Sequence, residues 1–207
     1  MELDFLELSD REPVVLVDER AQTIGQISKG EVHHADTPLH LAFSVFLFDS
    51  KGRFLVQRRA FHKRTWPGIW SNSFCGHPLP GESFEDAIAR RMEYEIGILD
   101  TEVHMVLPHF RYRACWGGIW ENELCPVFVG FSDEVPRPNP AEVESCDWVD
   151  WEAFSEACLD PVGTEFENFS PWAIMEGRAL LESTRFKILM SETTVSNNYS
   201  KGNYDNA

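Results

Sequence analysis

Residues 71–98 read SNSFCGHPLPGESFEDAIARRMEYEIGI: a turn dense in glycine and proline, then a helical run. The turn brings a cysteine, a histidine and a glutamate (Cys75, His77 and Glu82) close together. Ser83 suits an N-cap, with Asp86 three residues on as a capping-box partner, which predicts a helix over 83–96. At about 100° per residue, Phe84, Ala87, Ile88 and Met92 form an apolar stripe, and Asp86, Arg90 and Glu93 lie opposite, toward solvent. Arg91 and Glu95 fall inside the apolar stripe. An ionised side chain aimed at a core is costly unless it is paired or metal-bound. Two readings stay open. The two residues form a buried i,i+4 ion pair, or the stripe borders a polar cavity in which Glu95 takes a cation and Arg91 a phosphate.

Working outward, PVVLVDE predicts a strand. LHLAFSVFLFDSKGRFLVQRR predicts two strands around a turn at Ser50-Lys51-Gly52. AFHKRTWPGIWSNS reads as a loop. Strands are expected near 102–113 and 119–131, with Gly117-Gly118 in the turn between them. RPNPAE reads as a linker, and DWEAFSEAC and PWAIMEGRALLES as helices. The expected class is an α/β (α+β) sandwich, a mixed sheet flanked by helices. Residues 1–12 read as an N-terminal extension and 13–190 as the domain. Residues 191–207, SETTVSNNYSKGNYDNA, are polar and short of core residues, and are expected to be a disordered tail.

The 207 residues are 43% hydrophobic and 13% aromatic, which suits a globular chain. No apolar run is long enough to span a bilayer, and MELDFLELSDRE lacks the basic and apolar regions of a secretory signal. The formal net charge of -16 argues against a general nucleic-acid binder. The cysteines Cys75, Cys115, Cys125, Cys146 and Cys158 are odd in number and form no CxxC pair, so they read as reduced thiols in a cytoplasmic protein.

GHPLPGESFEDAIARRMEYEIGI resembles the Nudix box, Gly-x5-Glu-x7-Arg-Glu-U-x-Glu-Glu-x-Gly-U, where U is a bulky aliphatic. Gly76, Glu82, Arg90, Glu95, Gly97 and Ile98 match. Arg91 and Tyr94 stand where Nudix hydrolases keep glutamates that hold metal at a diphosphate. The resemblance therefore implies the Nudix fold while arguing against Nudix hydrolysis. SNSFCGHP, WENELCPVF, KGEVHHADTPLHLAF and FSPW further resemble segments of the type I isopentenyl-diphosphate isomerases, from about Val14 to the helix at Pro171.

That family resemblance implies a metal-dependent 1,3-allylic proton shift from isopentenyl to dimethylallyl diphosphate in isoprenoid biosynthesis. It implies a metal site of His33, His40, His77, Glu121 and Glu123, with His34 as a competitor that spacing does not exclude. Glu121 and Glu123, two apart in a strand, share a face. Five nitrogen and oxygen ligands suit Mn²⁺, Mg²⁺ or Zn²⁺ better than a thiolate-rich structural site does. Cys75 and Glu123 are the expected acid–base pair, Tyr112 a relay and Trp172 a face for the carbocation. The basic run KGRFLVQRRAFHKR offers a use for a diphosphate. By resemblance Lys29, Arg59, Lys63 and Arg91 face it, and Glu95 holds a bridging Mg²⁺. No organic cofactor is expected. The expected partner is the small-molecule substrate, with no nucleic acid or membrane, and the chain is expected to be a monomer or weak homodimer. A Nudix diphosphohydrolase and a non-catalytic diphosphate-binding protein are the rival readings.

Overall fold

The computed structural model describes residues 11–201. In chain order, β1 (Pro13–Val17) and β2 (Thr23–Ser28) lead into the short helix α1 (Lys29–Val32). Then β3 (His40–Leu41), β4 (Phe43–Phe48), β5 (Arg53–Arg59), β6 (Trp70–Ser71) and β7 (Phe74–Gly76) precede α2 (Phe84–Ile96). After it come β8 (Val103–Leu107), β9 (Arg111–Trp116), β10 (Ile119–Leu124), β11 (Val127–Phe131) and β12 (Val143–Asp150). Three helices follow: α3 (Trp151–Leu159), α4 (Pro171–Glu182) and α5 (Thr184–Lys201).

β4 shows how the layers form. All six of its residues are buried. Side chains alternate faces along a strand, and Phe43, Val45 and Leu47 pack with Ala87, Ile88 and Met92 of α2. Phe46 and Phe48 point the other way, into a core with Phe154 of α3 and Trp172 and Leu180 of α4. The larger sheet, ordered β12-β5-β4-β11-β8, is thus a layer between helices. It is mixed, because β4 and β11 run parallel while the other pairs are antiparallel. The smaller sheet is ordered β2-β1-β3-β10-β9.

The predicted strands over 102–113 and 119–131 each break in two, near Pro108 and Pro126. Proline cannot donate to a ladder, and each break passes the chain between sheets: β8 to β9, and β10 to β11. β3 and β4 do the same across Ala42. These three crossings join the sheets along one seam. Strands β2 and β12 and helix α1 were not anticipated. β2 is an exposed edge strand without a clear apolar alternation, and β12 follows the proline-rich segment.

Ser83 caps α2 as predicted, accepting from the Asp86 N–H at 3.0 Å and donating to its carboxylate at 2.7 Å. Gly97 closes the helix at φ 63°, and a Cβ there would lie 3.1 Å from the Arg137 carbonyl oxygen. The last helix, α5, runs from within the expected domain into the expected tail, as far as Lys201. Residues 202–207, and 1–10 of the expected N-terminal extension, lie outside the described residues. Among the described residues no helix is long and apolar enough to cross a membrane.

Candidate active site

The seam between the sheets opens into a cavity of about 280 Å³, lined by a His/Glu group of His33, His77, Glu121 and Glu123 with Tyr112, and by a cationic group of Lys29, Arg59, Lys63 and Arg91 with Glu95. Cys75 and Trp172 also line it. Strand register builds the first group. Glu123 pairs with His40 across the parallel β3–β10 ladder and with Tyr112 across the antiparallel β9–β10 ladder. Glu121 and Glu123 are both buried on one face of β10, as their spacing predicted.

Ligand atoms of His33, His40, His77 and Glu123 lie within 4.8 Å of one another. His40 Nε2 is 3.5 Å and His77 Nε2 3.3 Å from Glu123 Oε1, and His33 Nε2 is 2.8 Å from Glu121 Oε2. His33 Nε2 and His40 Nε2 are buried without a well-formed hydrogen bond. His40 Nδ1 sits 2.9 Å from the Pro38 carbonyl, which can only accept. Nδ1 therefore carries the hydrogen, and Nε2 presents its lone pair. The imidazole nitrogens and the carboxylate converge on one point, and these donor types fit a divalent cation. His34 does not join it. That ring is exposed, and its Nδ1 accepts from the Asp36 N–H at 3.0 Å.

Burial lowers the His77 pKa to about 4, against the pull of Glu123. Burial alone would raise the pKa of Glu123, but the His40 and His77 imidazoles beside it hold it well below the carboxylate range. A neutral imidazole beside an ionised carboxylate is the protonation state metal binding requires. Burial opposes charging of His40 too, but Glu123 and the Pro38 carbonyl outweigh it and raise that pKa.

Cys75 lies opposite Ser44 in the β4–β7 ladder. Its thiol donates to Asn72 Oδ1 at 3.2 Å and lies 3.3 Å from Ser44 Oγ. Burial, then Glu176 and Glu123, push its pKa up, so the thiol is neutral. Burial pushes Tyr112 up in the same way. Asn72, which the sequence reading passed over, is the hub here. Its Oδ1 also accepts from Trp172 Nε1 at 3.2 Å, and its amide is anchored on the Val45 and Phe74 carbonyls at 3.1 and 3.0 Å. Trp172 sits 5.9 Å from the Tyr112 ring. Gly76 lets β7 approach α2, since a Cβ there would lie 2.8 Å from Phe43 and 2.9 Å from Arg91.

In the cationic part of the lining, Arg91 and Glu95 face the cavity as a pair. They form a buried pair at 2.6 Å, and they line the cavity. Arg91 also reaches Glu142 at 3.4 Å, and Lys63 pairs with Glu142. Glu142, inside the expected linker, is the acidic residue that composition hid. Burial raises its pKa, but Lys63, Arg91 and Lys29 overcome that and hold it down to about 2. Burial and Arg59 lower Lys63 to about 8. Lys29 lies 3.7 Å from Glu12, which also lines the cavity although it was assigned to the extension. Arg59 donates to the Trp66 and Thr65 carbonyls at 3.3 and 3.2 Å and lies 5.8 Å over Trp172.

The basic run 51–64 is not one face. Arg53 binds Asp49 at 2.7 Å and Arg58 donates to the Gly68 carbonyl at 3.0 Å, whereas Arg59, Lys63 and Arg64 line the cavity. Arg90, expected to face solvent, is half-buried. It binds Glu82 and donates to the His77 carbonyl at 3.2 Å.

A NUDIX domain profile matches residues 38–172. Isopentenyl-diphosphate Delta-isomerase of Saccharopolyspora erythraea is 48% identical over 83% of this chain and 87% of its own length. The enzyme of the same name from Paenarthrobacter aurescens is 50% identical over 83% and 92%. The chain belongs to the isopentenyl-diphosphate Delta-isomerase family, on a NUDIX domain. The family counterpart from Kocuria rhizophila is 54% identical over 80% of this chain and 91% of its own. Among solved structures, a Deinococcus radiodurans protein superposes with a TM-score of 0.63 at 19% identity, covering 81% of this chain and 98% of that one. A MutT protein from Methanosarcina mazei gives 0.53 at 21%, covering 68% and 90%. These two likenesses concern the fold.

Proposed function

We infer that this chain converts isopentenyl diphosphate to dimethylallyl diphosphate by a 1,3-allylic proton shift, as part of isoprenoid biosynthesis. One observation carries the reading beyond the family. A neutral buried thiol and an ionised carboxylate line one cavity together with the cations Lys29, Arg59, Lys63 and Arg91. An acid and a base for the hydrocarbon and arginine and lysine for the diphosphate match this substrate's two halves.

In this reading Lys29, Arg59, Lys63 and Arg91 hold the diphosphate, with Arg giving forked contacts and Lys a point charge. Cys75 and Glu123 act from the walls of the cavity. One protonates the terminal carbon of the alkene, leaving a tertiary cation at C3, and the other takes a proton from C2. Tyr112, paired with Glu123 across the ladder, relays or donates to it. Trp172, locked by Asn72, turns its ring to the cation, worth about 2 kcal/mol when desolvated. Its wall excludes water, which would trap the cation as an alcohol. A divalent cation, Mn²⁺, Mg²⁺ or Zn²⁺, on His33, His40, His77, Glu121 and Glu123 would fix the position of Glu123 and tune its proton affinity. Glu95 would take Mg²⁺ at the diphosphate. No organic cofactor enters the reaction.

Arg91 and Tyr94 replace two acidic positions that the hydrolases use. The test is incubation with isopentenyl diphosphate and Mg²⁺ in D₂O. Deuterium-labelled dimethylallyl diphosphate is expected. Free phosphate would indicate a hydrolase, and unchanged substrate a binding protein.

A further inference from the structure

Gln57 breaks an apolar run. In β5 it follows Phe54, Leu55 and Val56, and like them it is buried. It lines the cavity together with Arg59, Arg91 and Glu95. Its amide Nε2 donates to Glu95 Oε2 at 3.3 Å. The other amide atom, Oε1, is buried and has no hydrogen-bond partner among the described residues. Turning the amide over would not help, because it would set one oxygen against another. In the His/Glu group of the same cavity, His33 Nε2 and His40 Nε2 are likewise buried without a well-formed hydrogen bond.

The oxygens around Gln57 are unequally occupied. Glu95 Oε1 accepts from both Arg91 Nε and Arg91 Nη2, at 2.9 and 2.6 Å. Glu142 is held by Lys63 and Arg91. Glu95 Oε2, with its longer contact to the amide, and Gln57 Oε1 keep lone pairs to spare. A buried acceptor without a partner is costly, and leucine or methionine would fill this strand position without that cost. Carboxylate and amide oxygens are hard ligands that suit Mg²⁺.

We propose that Gln57 is a further ligand residue of the divalent-cation site at the diphosphate, with Oε1 joining Glu95 Oε2 on the cation while Nε2 holds Glu95 in place. The proposal rests on the reading that Glu95 takes this cation. One carboxylate and one neutral amide carry little charge for a divalent ion, since Arg91 and Tyr94 stand where the hydrolases keep glutamates. The diphosphate supplies the rest. Cation and diphosphate therefore bind as a pair, each tightening the other.

The probes are inorganic diphosphate and Mg²⁺, titrated into the protein as purified, with the metal of the His/Glu group in place. Calorimetry reads diphosphate affinity with and without Mg²⁺, and no turnover is involved. In the wild type Mg²⁺ should tighten diphosphate binding. Gln57→Leu and Gln57→Met keep the bulk and remove both amide atoms. Each should lose about tenfold or more of that Mg²⁺ effect. Affinity without Mg²⁺ should stay near wild type, since Arg59, Lys63 and Arg91 are untouched. Gln57→Glu returns an oxygen and should recover most of the effect, a rescue that a packing role would not give. A full Mg²⁺ effect in Gln57→Leu and Gln57→Met, beside a loss in Glu95→Gln, would overturn this inference alone. So would an equal fall with and without Mg²⁺, or a Gln57→Glu no better than Gln57→Leu. No Mg²⁺ effect in the wild type, or a full one in Glu95→Gln, would overturn the Glu95 reading and this inference together. Failure of the isomerase reading would show instead in the D₂O incubation, on which this readout does not depend.

Discussion

Arg90 grips Glu82 with Nε 2.8 Å from Oε1 and Nη2 2.8 Å from Oε2, and the same Nη2 donates to the His77 carbonyl. One surface-side arginine of α2 thereby fixes the loop that presents His77. Glu82 in turn accepts from the Leu79 N–H at 2.7 Å, so the loop is held at both ends.

Arg90→Ala should free that loop and weaken divalent-metal binding about 10–100-fold, the range for losing a group that orients a ligand. His77→Ala, which removes the ligand itself, should lose more. Arg90→Lys should not rescue binding, because an ammonium cannot make the forked contact. Metal affinity measured by chelator competition checks all three. Unchanged affinity in Arg90→Ala would remove the clamp from the account.

Arg91→Glu tests the altered Nudix box. On box logic it restores an acidic position. In the structure it places a third carboxylate beside Glu95 and Glu142, both buried, and removes the guanidinium that both of them face. Breaking a buried pair on one side costs about 3–5 kcal/mol. The variant should therefore be less stable by that order in urea unfolding. Isomerase activity should fall without phosphate release, since Tyr94 still departs from the box. Strong new diphosphate hydrolysis would show that Arg91 alone barred it.

The His/Glu cluster was legible in the sequence through the family resemblance, and the cationic cluster only in part. Histidines and acids at His33, His40, His77, Glu121 and Glu123 stand out because each lies in a short, distinctive segment, and strand period alone put Glu121 and Glu123 on one face. Glu142 hid in RPNPAE, where an acid beside prolines reads as solvated, yet its chain segment folds back over Lys63 and Arg91. Arg90 was placed in solvent because a wheel records direction and not the reach of a long side chain. Glu176 carried a signal that was not used. It stands four residues after Trp172 and four before Leu180, so the wheel that exposed Glu95 would have exposed it. Among the described residues strand β12 pairs with β5 alone and buries few residues, so its pattern was weak.

Lys63 sets a pH limit on substrate capture. With its pKa lowered to about 8, by burial first and Arg59 second, it is charged below that pH and neutral above. A diphosphate favours the charged form, so kcat/KM should fall as pH rises through about 8. Lys63→Arg keeps its charge and should flatten that limb. Stability moves the other way. Between about 8 and the usual lysine value of 10.5 the unfolded chain binds the extra proton, so the Lys63 contribution to stability rises with pH across that window. A pH profile of kcat/KM with no fall on the alkaline side would take Lys63 out of the phosphate site.

Cys75 decides the chemistry. Cys75→Ala should fold, because it removes one sulfur from the wall of a cavity and leaves the β4–β7 pairing intact. It should keep its metal, because the ligands are nitrogen and oxygen. It should bind a diphosphate analogue, because Arg59, Lys63 and Arg91 are untouched. Turnover should nonetheless fall by about 10²-fold or more, the scale for a positioned acid–base group. Cys75→Ser is the sharper test. A hydroxyl preserves the hydrogen bonds to Asn72 and Ser44, so any purely structural role survives. It is a far weaker acid than a thiol, so proton transfer does not survive. Both variants should be severely impaired, with metal content and Tm near wild type. If Cys75→Ser alone recovered full turnover, the thiol would matter only as a hydrogen-bonding wall. The proton shift would then fall to Glu123 and Tyr112, which face each other across the β9–β10 ladder.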